Sequence, residues 1–144
     1  MLVVVRGTVI GRTASQTWES FAAFGDIEQW HPLIAHSVLE PAPGPGGGPV
    51  RSMTTQDGER IREELLLSDP VERTLRYTIL DSPFPVTSYV AEVQVWESAA
   101  PDRCDVCWST EFEPVDPADG PTLRTLFGQQ VFEVGIASLQ RTEN

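Results

Sequence analysis

The C-terminal run from Thr122 to Arg141 constrains this chain more than any other stretch. Gly120 and Pro121 introduce it, the proline suited to a first helical position. Leu123, Leu126, Phe127, Val131, Val134 and Leu139 then recur at roughly helical spacing, which predicts one long helix. Nearly everything upstream alternates apolar and polar residues as strands do. A sheet half covered by one long helix leaves strand faces with something to enclose, and the natural enclosed object is a cavity.

Residues 2–10 read as a half-buried first strand, with Val3, Val5, Gly7 and Val9 set against Arg6 and Thr8. The period changes at Thr13. There Thr13 or Ser15 can cap a short helix whose Trp18, Phe21 and Phe24 share one face. Gly25 ends that helix, and Asp26 to His31 forms a second helical turn stopped by Pro32. Strands follow at residues 34–39, 50–55, 59–67, 73–80, 87–96 and 104–112. Asp57-Gly58 supplies the turn of the hairpin over residues 50–67, and Asp81 to Val86 joins the next two strands. Short connections favour sequential antiparallel pairing. The expected class is therefore α+β, one curved antiparallel sheet of seven strands around the last helix, with two short helices after the first strand.

At 144 residues the chain is expected to be one domain that buries about two-thirds of its unfolded surface. A net charge of −11 argues against nucleic acid and anionic lipid surfaces as partners. Every cation is an arginine, which removes lysine nucleophiles and Schiff-base chemistry. Met1-Leu-Val-Val-Val is cut by Arg6 before it forms a leader of useful length, so a cytoplasmic protein without membrane insertion is expected. Cys104 and Cys107 fall three apart in a strand, on opposite faces, and are expected to be unlinked thiols. The glycine-rich segment Pro41 to Pro49 lacks both a following helix and a phosphate-binding lysine, so it reads as a surface loop. His31 and His36 have no metal-ligand spacing, and no cofactor signature is present.

Several segments together resemble one known group. They are Phe24-Gly-Asp-Ile-Glu-Gln-Trp-His-Pro-Leu33, Val50-Arg-Ser-Met-Thr54, Glu63-Glu-Leu65, Arg76-Tyr-Thr-Ile-Leu80, Thr87-Ser-Tyr89 and the closing helix. The resemblance is to the START/Bet v 1-like (SRPBCC) superfamily, and within it to bacterial polyketide cyclase/dehydrase-type members that group beside the plant abscisic acid receptors. It implies the helix-grip fold, which hosts carriers, receptors, cyclases and lyases, with lipid transport among its roles. It also implies a cavity wall. His31 stands where the receptors keep a lysine that meets a ligand carboxylate. Glu63 matches a glutamate that works through water, Tyr89 a tyrosine on a neighbouring strand, and Phe127, Val131 and Gly135 the helix face that closes over the ligand. Two departures argue against hormone gating with phosphatase capture. Gln56-Asp57-Gly58 replaces a longer gate loop, and Phe84-Pro85-Val86 replaces a His-Arg-Leu latch.

Strand parity agrees for Glu63, which shares its face with Ile61, Leu65 and Leu67. A carboxylate there must be desolvated or hydrogen-bonded, making it a candidate acid or base with a raised pKa. The alternative is a strand-end glutamate that reaches solvent or pairs with an arginine. His31 is the second candidate for proton transfer or for polarising a carbonyl, against the alternative of a loop histidine. His36 shares parity with Ile34 and Val38, so both His36 and Ile34 are candidate cavity residues. Met53, Thr55, Tyr77, Tyr89, Trp108, Phe127 and Val131 would make an apolar lining with a few polar groups. Phe84 and Val86 would stand at its mouth, near Gln56 to Glu59, and Gly135 costs its helix about 1 kcal/mol unless the gap serves a purpose. The expectation is a carrier or sensor for a small hydrophobic organic molecule. A cyclase, dehydratase or lyase using Glu63 and His31 is the alternative, and a ligand-dependent protein-interaction module is a third.

Overall fold

The computed structural model describes residues 1–141. Its last strand, β7 (Cys104–Pro114), shows why the sheet forms: Cys104, Val106, Trp108, Thr110 and Phe112 are buried, while the residues between them face outward. Seven antiparallel strands make one sheet in the order β1-β7-β6-β5-β4-β3-β2. The others are β1 (Leu2–Ile10), β2 (Ile34–Glu40), β3 (Val50–Thr55), β4 (Arg60–Asp69), β5 (Thr74–Asp81) and β6 (Val86–Glu97). From β2 to β7 the pairing is sequential. β1 instead pairs with β7, because the helical connection after β1 carries the chain across to the opposite edge.

That connection is helix α1 (Ala14–Ala22) and a 3₁₀ helix, Phe24–Gln29. Thr13 caps α1 in a reciprocal box: the Gln16 amide donates to Thr13 Oγ1 and the Thr13 amide to Gln16 Oε1, both at 3.1 Å. Trp18, Phe21 and Phe24 are buried on the shared face expected of them. In the β3–β4 turn Gly58 takes a φ of +86°, a conformation glycine adopts without a Cβ penalty.

One expectation needs correction, and the long C-terminal helix holds with a refinement. In β1 the buried residues are Val4 and Ile10, whereas Val3, Val5 and Val9 are exposed. Val residues occupy both parities there, so parity alone did not choose the face; the helix side takes Val4. The C-terminal helix, residues 120–141, is also not uniform. α-Helical Gly120–Thr125 and Val134–Arg141 flank a π-helical segment, Leu126–Glu133. The buried apolar side chains of the whole helix are Leu123, Phe127, Phe132, Ile136 and Leu139, and Val134 is only half-buried. The five-residue step from Phe127 to Phe132 would leave the core face in an α-helix. The wider π turn keeps both rings inward.

Phe132 stacks on Trp108 at 4.9 Å and 21°, and Phe21 meets Trp108 edge-on at 5.4 Å. Each such side chain, fully buried, contributes about 1.5–3 kcal/mol. Cys104 and Cys107 are unlinked, the first buried and the second half-buried. Among the described residues no helix is long and apolar enough to cross a membrane.

Candidate functional site

The helix does not fill the sheet's concave face. A cavity of about 210 Å³ lies between the inner faces of β3 to β7, the start of β2, the C-terminal helix and the chain around the 3₁₀ helix. It brings together His31, Ile34, Met53, Thr55, Ile61, Glu63, Tyr77, Phe84, Tyr89, Trp108, Phe127 and Val131. Gln56, Asp57 and Glu59 stand at its rim, with Pro83 and Phe84 from the β5–β6 loop and Leu126 and Gln130 from the helix.

Three expected residues lie elsewhere. A register shift between Ile34 and His36 breaks the parity of β2, so the His36 side chain is 66% exposed, 3.8 Å from Glu28. Val86 packs against the core at the start of β6, opposite Pro114, without lining the cavity. Gly135 lies beneath His31 and Trp108: a Cβ there would come within 2.8 Å of His31 Cδ2 and 2.9 Å of Trp108 Cζ3. The mid-helix glycine therefore serves close packing. Gly135→Ala is expected to destabilise the protein, because overpacking costs about 1–3 kcal/mol and the helix-propensity gain is about 1 kcal/mol. Urea unfolding reads the difference.

The residue that the sequence reading missed is Arg51. It shares the β3 face with Met53 and Thr55, both of which were candidates, so the same parity would have found it. Its Nε donates to Glu63 Oε1 at 2.8 Å, its Nη2 is ion-paired with the same oxygen at 2.8 Å, and its Nη1 donates to the Phe24 carbonyl at 3.3 Å. The two side chains are 4% and 9% exposed. Phe24 lies 4.0 Å and Tyr77 4.8 Å from the guanidinium carbon, as in cation–π contacts. Burial pushes the Glu63 carboxyl above the ordinary glutamate value, against the pull of Arg51. This is the arginine pairing that the sequence left open for Glu63, made inside the protein rather than at a strand end.

Tyr77 accepts a hydrogen bond from Trp108 Nε1 at 3.0 Å. Burial raises the pKa of both Tyr77 and Tyr89, so both present neutral phenols. Aromatic rings continue toward the mouth, Phe127 meeting Tyr89 at 5.1 Å and Phe84 at 5.4 Å.

His31 lines the cavity with both of its ring nitrogens engaged. Its Nε2 bonds to the Val131 carbonyl at 2.7 Å, and its Nδ1 accepts from the Leu33 amide at 3.3 Å. Nδ1 accepts, so the proton sits on Nε2 and both nitrogens are engaged. Burial lowers the pKa to about 4, with Arg51 adding to the effect and the Val131 bond opposing it. At neutral pH the ring is an uncharged brace holding the 3₁₀ segment to the π-helical turn. Ser138 Oγ adds a second tie by donating to the Trp30 carbonyl.

Nearly the whole chain, residues 1–142, matches the family described as polyketide cyclase / dehydrase and lipid transport. A comparison with curated protein sequences gives no match. Among solved structures, XoxI from Bacillus cereus is 31% identical, covering 98% of this chain and 94% of that one, with a TM-score of 0.86. An uncharacterized protein from Bacillus thuringiensis is 30% identical over 96% of both chains, with a TM-score of 0.81. Norcoclaurine synthase from Thalictrum flavum, in complex with dopamine and hydroxybenzaldehyde, shares the fold at 17% identity. It covers 99% of this chain and 89% of its own, with a TM-score of 0.74.

Proposed function

The chain belongs to the polyketide cyclase/dehydrase and lipid transport family, which has a ligand-binding fold, and from that premise we propose that it acts as a single domain carrying or sensing a small hydrophobic organic molecule. The observation that carries this reading is the cavity itself: apolar and aromatic walls enclose a few buried polar groups, the usual composition of a small-molecule site. At about 210 Å³ it is smaller than most drug-sized sites and somewhat larger than an engineered cavity of about 150 Å³ that takes benzene. The ligand is on the order of one or two rings. Access is between the Gln56–Glu59 turn, Pro83-Phe84 and the Leu126 to Gln130 stretch of the helix.

One feature favours the enzymatic alternative, the raised pKa of Glu63 on the cavity wall, which suits a proton donor or acceptor. His31 supports it less, since both of its nitrogens are held by backbone. Native mass spectrometry of the protein against a pooled library of small hydrophobic molecules separates the two. The expected result is a retained ligand released with its mass and structure unchanged. A ligand released as an isomer or dehydrated product would contradict the carrier reading and make Glu63 the first residue to replace.

A further inference from the structure

Resting on the cavity reading above, we infer that this site selects uncharged, ring-bearing molecules with a hydrogen-bond donor and rejects carboxylates, because the cation on its wall is already consumed by Glu63. Arg51 is the only arginine lining the cavity among the described residues. Two of its nitrogens are spent on Glu63 Oε1, a third on the Phe24 carbonyl, and the rings of Phe24 and Tyr77 lie against it. His31, the other basic side chain on the wall, has both nitrogens on backbone groups and is uncharged at neutral pH. An entering carboxylate would thus be desolvated without a cationic partner, which is strongly unfavourable.

The acceptor side is open. Among the described residues only Oε1 of Glu63 is hydrogen-bonded, which leaves Oε2 as an acceptor on the cavity wall. A ligand O–H or N–H directed at Oε2 satisfies both groups, whereas an anion there meets like charge. The rim repeats the preference. Asp57 and Glu59 are exposed and make no ion pair among the described residues, while the neighbouring Arg60 is turned to Ser52 Oγ at 3.3 Å. The rings of Tyr89, Phe127 and Phe84 supply edge and face contacts for a flat aromatic guest.

Isothermal titration at pH 7 with 2-naphthol and 2-naphthoate tests this, because the two share a ring system and differ in charge. Naphthol is expected to bind at least about tenfold more tightly, a difference of about 1.4 kcal/mol. Naphthoate binding equally or more tightly would overturn the inference while leaving the cavity reading intact. Binding of neither would overturn both. In Glu63→Gln the guanidinium loses its counter-charge, and naphthoate affinity is expected to rise by about tenfold or more relative to wild type. Unchanged naphthoate affinity in a folded Glu63→Gln protein would overturn the role given to Glu63. The wild-type comparison stands by itself if that variant does not fold.

Discussion

Arg51→Met lowers the free energy of unfolding by about 3–5 kcal/mol, the usual effect of removing one partner of a buried ion pair. The loss comes from what is left behind: Glu63, buried on the cavity wall, keeps its carboxyl but loses the hydrogen bond and the ion pair at Oε1. The double variant Arg51→Met/Glu63→Met recovers most of the loss, since apolar replacement of a whole buried pair is often neutral or stabilising. The pH dependence has a definite sign. Burial already holds the Glu63 carboxyl above its ordinary value, and removing Arg51 raises it further. The native state then holds that proton to higher pH than the unfolded chain does. The penalty of Arg51→Met is therefore smaller near pH 4 than at pH 7. Urea unfolding of the wild type and the two variants at both pH values measures all of this. A double variant no more stable than Arg51→Met, or a penalty of Arg51→Met as large at pH 4 as at pH 7, would contradict the account.

Stability also falls as the solution is acidified from pH 7 to pH 4, by about 3 kcal/mol from His31 alone. The native ring titrates at about 4 because it is desolvated, against 6.5 for an ordinary histidine. Between those values the unfolded state binds more protons than the native one, so stability rises with pH through that window and is flat above it. Glu63, displaced upward from its ordinary value, contributes with the opposite sign at the low end. Subtracting the pH profile of His31→Gln from that of the wild type isolates the histidine. A difference that stays constant from pH 7 to pH 4 would show that His31 is not a buried neutral brace.

How much of this was legible in the sequence depended on periodicity. Strands β2 to β7 and helix α1 announced themselves because one parity or one helical face was apolar, and Glu63 was conspicuous as the polar residue on such a face. Where both parities were apolar, as in β1, the buried face was not readable. His36 was misplaced because a bulge in β2 changes parity, and bulges leave little trace in composition. The π turn was invisible for a related reason: a five-residue step between Phe127 and Phe132 looks like a lapse in helical spacing until the tertiary core shows that both rings are needed. Arg51 shares the parity of Met53 and Thr55, yet a cation on an apolar face makes sense only once its partner across the ladder, Glu63, is known. The neutrality of His31 follows from burial and from two backbone partners distant in sequence or set by the local turn, neither of which residue types reveal.

The most direct measurement of the central claim is a 2-naphthol titration followed by the indole N–H signals of the four tryptophans. Trp108 lines the cavity and donates to Tyr77, whereas Trp96 is 45% exposed on the other face of the sheet. A guest in the cavity shifts the Trp108 signal saturably and leaves Trp96 in place. A saturable shift at Trp96 with Trp108 unmoved would place binding on the outer surface and contradict the account.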